Sequence, residues 1–166
     1  AADQLVLAWN RTYDLPYIIV RPTNNYGIGQ YVEKLIPKSC KYLKLGKKIP
    51  LHNAGTPIRN WLHAGDTAAA IMAIIESGTK NEIYNISGDY EQANIDTVQQ
   101  IIRLSLGAKN GMDYDDYIDL SFDRQGQDVR YAIDDSKLKT LGWKPARIFK
   151  DELPKIVKYY GENFVW

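Results

Sequence analysis

The chain has 166 residues, of which 45% are hydrophobic and 25% charged, and its formal net charge is +1. These values are typical of one soluble globular domain. A net charge so close to zero provides no general attraction to nucleic acid or to an anionic membrane, and we expect neither as a partner. No apolar run approaches the ~20 residues that span a bilayer, and no signal peptide opens the chain, so we expect a cytoplasmic protein.

The cysteine and the lysines exclude further classes of function. A single cysteine, Cys40, cannot form an internal disulfide and fits a reducing compartment. No nearby histidine activates its thiol, so we interpret Cys40 as a small buried side chain and not as a nucleophile. The densest set of lysines lies between residues 34 and 48, and we interpret it as a solvated helix face.

The first predicted element is a helix over residues 1–14, with Leu5, Trp9 and Tyr13 on one stripe. No Ser, Thr or Asn precedes this helix as a cap, so we expect the chain to begin inside a helix, as part of something longer. A β-branched run at 17–23 follows, which is typical of a strand buried on both faces.

Strands and helices alternate through the rest of the chain. Short hydrophobic runs between turn residues predict strands at 49–52, 58–63, 82–87 and 117–122. Apolar stripes at helical spacing predict helices over 33–45, 67–77, 94–106, 134–142 and 151–164. This alternation predicts an α/β fold.

Capping residues set the expected ends of these helices. Gly46 and Gly107 are expected to end the second and fourth helices. Asp66 or Thr67 is expected to cap the third helix, and Asn94 the fourth. The last helix is expected to bury a stripe made of Leu153, Ile156, Val157, Tyr160 and Phe164.

Four polar features suggest a ligand. Asn24 and Asn25 end the first predicted strand, Arg59 and Asn85 lie inside strands, and Asp123-Arg124 end another. Singly, each has a structural explanation, as a turn residue, a solvent-facing arginine or a loop-binding amide. Together, two arginines can chelate a diphosphate, and amides beside them can bind sugar hydroxyls or a base edge. The residues therefore predict a pocket for a phosphorylated, sugar-like small molecule.

The order of the motifs TNNYG…EKLIP, IRNWLH, YNISG and DRQGQDVRYAID, closed by an amphipathic helix, resembles the C-terminal half of the dTDP-glucose 4,6-dehydratase family. That family belongs to the extended short-chain dehydrogenase/reductase superfamily. The resemblance covers nearly all of residues 1–166. It implies the last part of a Rossmann-type parallel sheet plus the small mixed α/β substrate-binding lobe, with the N-terminal NAD-binding half absent.

The resemblance also implies a role for each polar feature. Asn24 would contact the sugar–phosphate part of the substrate, and Asn25 the nicotinamide side of NAD. Arg59 and Arg124 would grip the diphosphate, and Asn85 would help to hold the nucleotide. The other substrate-site residues that the resemblance implies are Lys34, Leu35, Pro50, Leu51, His52, Asp123 and Gln127.

Three positions, at two places in the chain, depart from the family pattern. The family has Asp-Arg-Pro-Gly-His where residues 123–127 read Asp-Arg-Gln-Gly-Gln, and it has an aromatic Tyr in place of His52. Gln127 keeps the capacity to form hydrogen bonds but cannot become cationic. Both places lie at the nucleotide end of the implied site, so the choice between thymine and uracil stays open.

The resemblance implies NAD as cofactor, a nucleotide-diphosphate sugar such as dTDP-glucose as substrate, and a homodimer formed through the first helix. No tyrosine in the chain is followed four residues later by lysine, so we expect no catalytic residue in these 166 residues. Two alternatives remain. One is another epimerase or 4,6-dehydratase of the superfamily, and the other is a nucleotide-sugar-binding module without catalysis.

Overall fold

The computed structural model describes residues 1–107 and 111–163. The helices in these ranges are α1 Ala2–Tyr13, α2 Leu35–Lys44, α3 Ala64–Ser77, α4 Asn94–Leu106, α5 Ser136–Lys139 and α6 Phe149–Glu162. The strands are β1 Ile18–Pro22, β2 Asn24–Tyr26, β3 Ile49–His52, β4 Ile58–His63, β5 Glu82–Ile86, β6 Tyr90–Ala93 and β7 Ile118–Phe122. The predicted alternation of helices and strands, and with it the α/β class, is confirmed.

The strands form three small sheets in the described residues. β1 pairs with β5 in parallel, and β3 pairs with β7 in parallel. The third sheet has the order β2-β4-β6, with β2 parallel and β6 antiparallel to β4. Parallel pairs joined by helices together with a mixed sheet agree with the predicted combination of a Rossmann-type sheet and a mixed lobe.

Three buried clusters hold these sheets to their helices. One cluster packs Tyr26 and Trp61 of the mixed sheet against α2, α4 and α6. A second packs α3 and α5 on the β1-β5 pair, around Ile74 and Tyr84. The third packs α4 on the β3-β7 pair, around Ile49. Because burial of one such side chain contributes ~1.5–3 kcal/mol, these clusters fix where β2 and β4 present their polar residues.

The chain changes sheets at the first asparagine. The prediction that Asn24 and Asn25 end the first strand is wrong, because β1 ends at Pro22 and both asparagines belong to β2. The prediction that the first strand is buried on both faces is also wrong, because only Ile19 of β1 is buried. Among the described residues β1 has β5 on one side only, so less packing covers it.

Two predicted caps are wrong. The α3 helix begins at Ala64, where the Nδ1 atom of His63 accepts a hydrogen bond from the backbone N–H of Gly65 at 3.0 Å. Asp66 instead lies in the first turn and forms an ion pair with Arg147 at 2.7 Å. The α4 helix has Ala93 as its cap residue and no side-chain capping bond, so Asn94 does not cap it. In both cases the partner that decides the role lies outside the local sequence.

Other predictions at the helix ends are confirmed. Gly46 and Gly107 follow α2 and α4 with φ values of 63° and 80°, in the region that favours glycine. The α6 helix begins at Phe149, two residues before the prediction, and its expected apolar stripe is buried at Leu153, Ile156 and Val157. Phe164, also predicted for this stripe, lies outside the described residues.

The α1 helix differs from the other long helices, because it has no buried residue. Leu5, Trp9 and Tyr13 are 61%, 49% and 65% exposed, and the helix is tied to β1 by an ion pair between Asp3 and Arg21. Cys40, by contrast, is buried as predicted, and this burial raises the pKa of its thiol to about 12. Among the described helices, none has the length and apolar character needed to cross a membrane.

Candidate functional site

The end of β1 and the whole of β2 border a cleft of about 520 Å³. Its lining comes from residues 23–30 together with Lys34 and Ala64, and we call it the asparagine cleft. Three predicted site residues, Asn24, Asn25 and Lys34, therefore lie together. The cleft sits at the carboxyl end of the parallel strand β1, which is where α/β sheets bind ligands.

Asn24 and Asn25 present their side chains differently. Successive residues of a strand point to opposite faces, so the two amides cannot contact the same ligand group. The Asn24 amide forms no hydrogen bond with a described residue, and it remains free to bind a ligand. The Asn25 amide is held at both ends, because its Nδ2 donates to the Thr23 carbonyl at 3.0 Å and its Oδ1 accepts from the Thr67 hydroxyl at 2.6 Å.

A buried asparagine that the sequence did not reveal supports this arrangement. Asn60 is 5% exposed, and its Oδ1 accepts hydrogen bonds from the Thr23 hydroxyl and the Gly88 N–H, both at 2.8 Å. Its Nδ2 donates to the Gly88 carbonyl at 2.7 Å. Gly88 is required here, since a Cβ at this position would lie 2.0 Å from the Trp61 carbonyl oxygen. A polar residue on a hydrophobic strand was the one available signal for this role.

Arg59, the first of the two predicted diphosphate ligands, lies over a tyrosine ring. Arg59 donates through Nη1 to the carbonyls of Ile58 and Asp128 at 2.9 and 3.1 Å, and its guanidinium lies 4.9 Å from the centre of the Tyr131 ring. The Tyr131 hydroxyl donates to the Asp128 carboxylate, which raises the pKa of Tyr131. The positive charges of Arg59 and Arg124 both oppose that rise.

Neither guanidinium is neutralised. In residues 1–107 and 111–163, no carboxylate forms a salt bridge with Arg59 or Arg124. The backbone of Arg124 is held by Asn53, whose Oδ1 accepts from the Arg124 N–H at 2.9 Å. We call Arg59, Arg124, Asn53, Asp128 and Tyr131 the arginine site. Two neighbouring cations without a carboxylate partner are suited to an anion with two phosphate groups.

The asparagine cleft and the arginine site are connected by β4. Asn24 pairs with Trp61, and Arg59 lies two residues earlier in the same strand. At ~3.3 Å per residue, Arg59 is about 7 Å along β4 from the position beside Asn24. One extended ligand can therefore reach both sites.

The other predicted site residues lie in environments that differ from one to the next. Leu51 is 3% exposed and packs in the third cluster, so its side chain faces the core and only its backbone can border a ligand. Leu35 packs against two clusters. Pro50 is half-buried and pairs with Asp119. Asn85 donates to the Asp134 carbonyl at 2.8 Å and does not line the asparagine cleft.

The remaining predicted residues, His52, Asp123 and Gln127, are sequence neighbours of Asn53, Arg124 and Asp128 of the arginine site. Asp123 is exposed. The His52 ring meets Phe122 edge-on, with their centres 6.0 Å apart. His52 Nδ1 and Gln127 Oε1 are buried and have no hydrogen-bond partner among the described residues. Such atoms favour a ligand that supplies the missing partners.

His63 is a further residue that sequence reasoning missed. Burial lowers the pKa of His63, and the positive charge of Arg147 lowers it further. The imidazole must be neutral at Nδ1 to accept the Gly65 hydrogen bond that begins α3. Its ring centre lies 5.1 Å from that of Tyr26, which lines the cleft. No group of three His, Cys, Asp or Glu residues in the described part of the chain could hold a metal ion.

Comparison with known proteins identifies the class. A model of the NAD dependent epimerase/dehydratase family matches residues 1–87, just over half of the chain, and the chain therefore belongs to this family. A dTDP-glucose 4,6-dehydratase of Escherichia coli is 40% identical over 172 residues, an alignment that covers 100% of this chain and 48% of that protein. The chain spans about half the length of the curated relatives it matches.

Solved structures of similar proteins have the same fold. The dTDP-glucose 4,6-dehydratase of Bacillus anthracis in complex with NAD is 40% identical, with a TM-score of 0.86 over 99% of this chain and 51% of that one. The enzyme of the same name from Streptomyces venezuelae, with NAD and TYD bound, is 37% identical, with a TM-score of 0.88 over 98% of this chain and 49% of that one. The Rossmann-type fold class is therefore confirmed.

Proposed function

We propose that residues 1–166 form the nucleotide-sugar-binding part of an NAD-dependent dTDP-glucose 4,6-dehydratase of the cytoplasm. That reaction oxidises the sugar at C4, eliminates water across C5–C6 and returns the hydride to C6, giving dTDP-4-keto-6-deoxyglucose. The observation that carries the proposal is the guanidinium of Arg59, which lies over Tyr131 on the strand that leads to the asparagine cleft, together with Arg124 after β7, because neither arginine forms a salt bridge with a described carboxylate. Relatives of that name at about 40% identity support it.

The arginine site would bind the diphosphate. Arg59 uses Nη1 in its two hydrogen bonds, so Nε–H and the Nη2 hydrogens can still reach phosphate oxygens. Arg124 is exposed, and its side chain forms no hydrogen bond with a described residue. Binding would neutralise both cations through charge-assisted hydrogen bonds, which are stronger than hydrogen bonds between neutral groups.

The asparagine cleft would hold the reacting end of the substrate beside the cofactor. NAD, when bound, accepts the hydride and returns it. The described residues fit such a group, since Asn25 is held rigidly by Thr23 and Thr67 and can donate its second Nδ2 hydrogen. Asn24, on the opposite face, would contact the sugar–phosphate part. The opposite directions of the two amides support this division of roles.

The proposal also includes a homodimer. The α1 helix leaves Leu5, Trp9 and Tyr13 exposed on one stripe, and a second copy of α1 would cover them. Sedimentation at tens of micromolar should show a dimer, and a Trp9→Ser variant should sediment as a monomer. A sharp monomer for the unmutated chain would reject this part of the proposal.

Calorimetric titration with dTDP tests the arginine site. Arg59→Ala and Arg124→Ala should each weaken binding at least about tenfold, which corresponds to ~1.4 kcal/mol. Arg11→Ala removes the same group from the exposed end of α1 and is the matched control, with no expected change. Equal affinities for all three variants would reject the diphosphate role.

Activity is a separate test. The chain lacks the Tyr-x-x-x-Lys pair, so we expect purified residues 1–166 to give no keto-sugar from dTDP-glucose and NAD. If keto-sugar does form, catalytic groups of this reaction must lie within these residues. Titration with UDP beside dTDP distinguishes the runner-up, a UDP-sugar epimerase or dehydratase, because tighter binding of UDP would favour it.

A further inference from the structure

Gln30 lines the asparagine cleft, and none of the assigned roles explains its side chain. Its Nε2 donates to the backbone carbonyl of Asn25 at 2.7 Å. A carbonyl oxygen accepts hydrogen bonds and cannot donate them, so the orientation of the Gln30 amide is determined. The Oε1 atom must then point away from Asn25, and it is buried without a donor among the described residues.

An unpaired buried carbonyl oxygen is unfavourable unless something compensates it. The surrounding backbone holds Gln30 firmly, because the Tyr160 hydroxyl of α6 donates to the Gln30 carbonyl at 3.0 Å. The preceding residues are less constrained. Ile28 is 57% exposed, and Gly29 has a φ of 85° with no atom within 4 Å of where a Cβ would be. The cleft is therefore open beside Gln30, on the side of Ile28 and Gly29.

The side-chain amide of Asn25 presents a hydrogen-bond donor to the cleft, whereas that of Gln30 presents an acceptor. Asn25 Nδ2 donates to the Thr23 carbonyl, which again can only accept, so the Asn25 amide cannot flip. Thr67 occupies its Oδ1. Asn25 therefore offers the cleft an N–H donor, while Gln30 offers an acceptor. Both orientations follow from bonds to backbone carbonyls.

We infer that Gln30 is a further ligand-binding residue of the asparagine cleft, whose Oε1 accepts a hydrogen bond from an N–H or O–H donor of the ligand. The inference rests on the proposed function and extends it. The ligand group must combine a donor for Gln30 with an acceptor for Asn25. The primary carboxamide of nicotinamide and the hydroxyl groups of the sugar both have this chemistry. Thr67 positions the Asn25 side-chain amide, and Tyr160 positions the Gln30 backbone.

Pairs of ligands that differ by one donor test the inference. Gln30→Met keeps the length of the side chain and removes its amide, and Gln100→Met on α4 makes the same change outside the cleft. Calorimetry would measure the affinity of each variant for NAD and for its 3-acetylpyridine analogue, in which a methyl group replaces the carboxamide nitrogen. The same variants would be titrated with dTDP-glucose and with dTDP, which lacks the sugar.

The expected result is a loss that depends on the ligand donor. Gln30→Met should weaken NAD about fivefold to tenfold and leave the acetyl analogue unchanged if the partner is the carboxamide. It should weaken dTDP-glucose by the same factor and leave dTDP unchanged if the partner is a sugar hydroxyl. Gln100→Met should change none of the four affinities. Loss of a merely structural residue would affect both members of a pair equally.

The outcomes separate this inference from the proposed function. An equal change for both members of each pair, or no change, overturns the inference and leaves the dTDP test of the arginines intact. A second outcome is that Gln30→Met weakens NAD but not its acetyl analogue, while the Arg59→Ala and Arg124→Ala variants bind dTDP as tightly as the unmutated chain. That outcome keeps the inference and rejects the proposed function. If the unmutated chain binds none of the four ligands, both are rejected.

Discussion

The two halves of the proposed site are constructed differently. Behind the asparagine cleft, where Thr23 bonds to Asn60, a buried amide bonds to backbone groups that accept or donate in one direction only, as Asn60 does with Gly88. In the arginine site, exposed side chains hold one another, as Tyr131 and Asp128 do. Changes in this buried network should therefore alter the stability of the fold, whereas changes in the arginine site should alter affinity at little structural cost.

The largest expected effect comes from the centre of the buried network. Asn60→Ala would leave the Gly88 N–H and the Thr23 hydroxyl without partners and the Gly88 carbonyl with the Ser87 hydroxyl alone, and we expect a loss of ~3 kcal/mol in the free energy of unfolding. Urea denaturation measures it. The comparison variant is Asn53→Gly at the arginine site, which tolerates the observed φ of 53° and should cost less than ~1 kcal/mol. Equal losses would contradict the contrast between the two regions.

A smaller effect is expected at the edge of the same network. Thr67→Val keeps the shape of the side chain but removes the hydroxyl that Asn25 Oδ1 accepts from, and we expect a loss of ~1–2 kcal/mol in stability. Thr67→Ser restores the hydroxyl and should recover most of that loss. If the serine variant is no more stable than the valine variant in thermal denaturation, this hydrogen bond contributes nothing.

The arginine site should respond in affinity instead. Asn53→Gly releases the backbone of Arg124, so dTDP binding should weaken by about threefold, or ~0.7 kcal/mol, as the guanidinium loses its fixed position. Titration calorimetry on the variant already used for stability gives both numbers from one protein. Full affinity in Asn53→Gly would show that Arg124 needs no such support.

The smallest expected effect is the dependence of stability on pH. The pKa of His63 is lowered from 6.5 in the folded chain, so the unfolded chain takes up a proton first as the pH falls. Stability should be unaffected well above pH 6.5 and should decline as the pH drops below it, because protonated His63 cannot accept the Gly65 hydrogen bond. Unfolding measured from pH 8 to pH 5 should show a shallower decline for His63→Asn, which can cap α3 without titrating. Identical pH profiles would exclude His63 as the cause.

Some residues of the site could be predicted from the sequence, and others could not. Arg59 and Arg124 stood out because arginine in a strand or at its end is unusual and has a distinct chemistry, and the structure places Arg59 over the Tyr131 ring. Asn60 and Gln30 did not stand out. The sequence does not distinguish a buried structural amide from an amide in a turn, because the difference lies in the hydrogen-bond partners of the side chain. Those partners are Gly88, 28 residues away from Asn60, and the backbone of Asn25 for Gln30.

The sequence by itself determined the local elements. The β3 and β4 strands occupy 49–52 and 58–63 as predicted, and the buried stripe of α6 follows its helical period, because side-chain periodicity acts between near neighbours. Only the tertiary structure decided that the chain stops pairing with β5 and begins to pair with β4 at Thr23. It also decided that Asp66 pairs with Arg147, 81 residues away, instead of capping its helix. These outcomes depend on which distant polar groups are buried together. Local sequence patterns do not determine these pairings, although every buried polar group needs a hydrogen-bond partner.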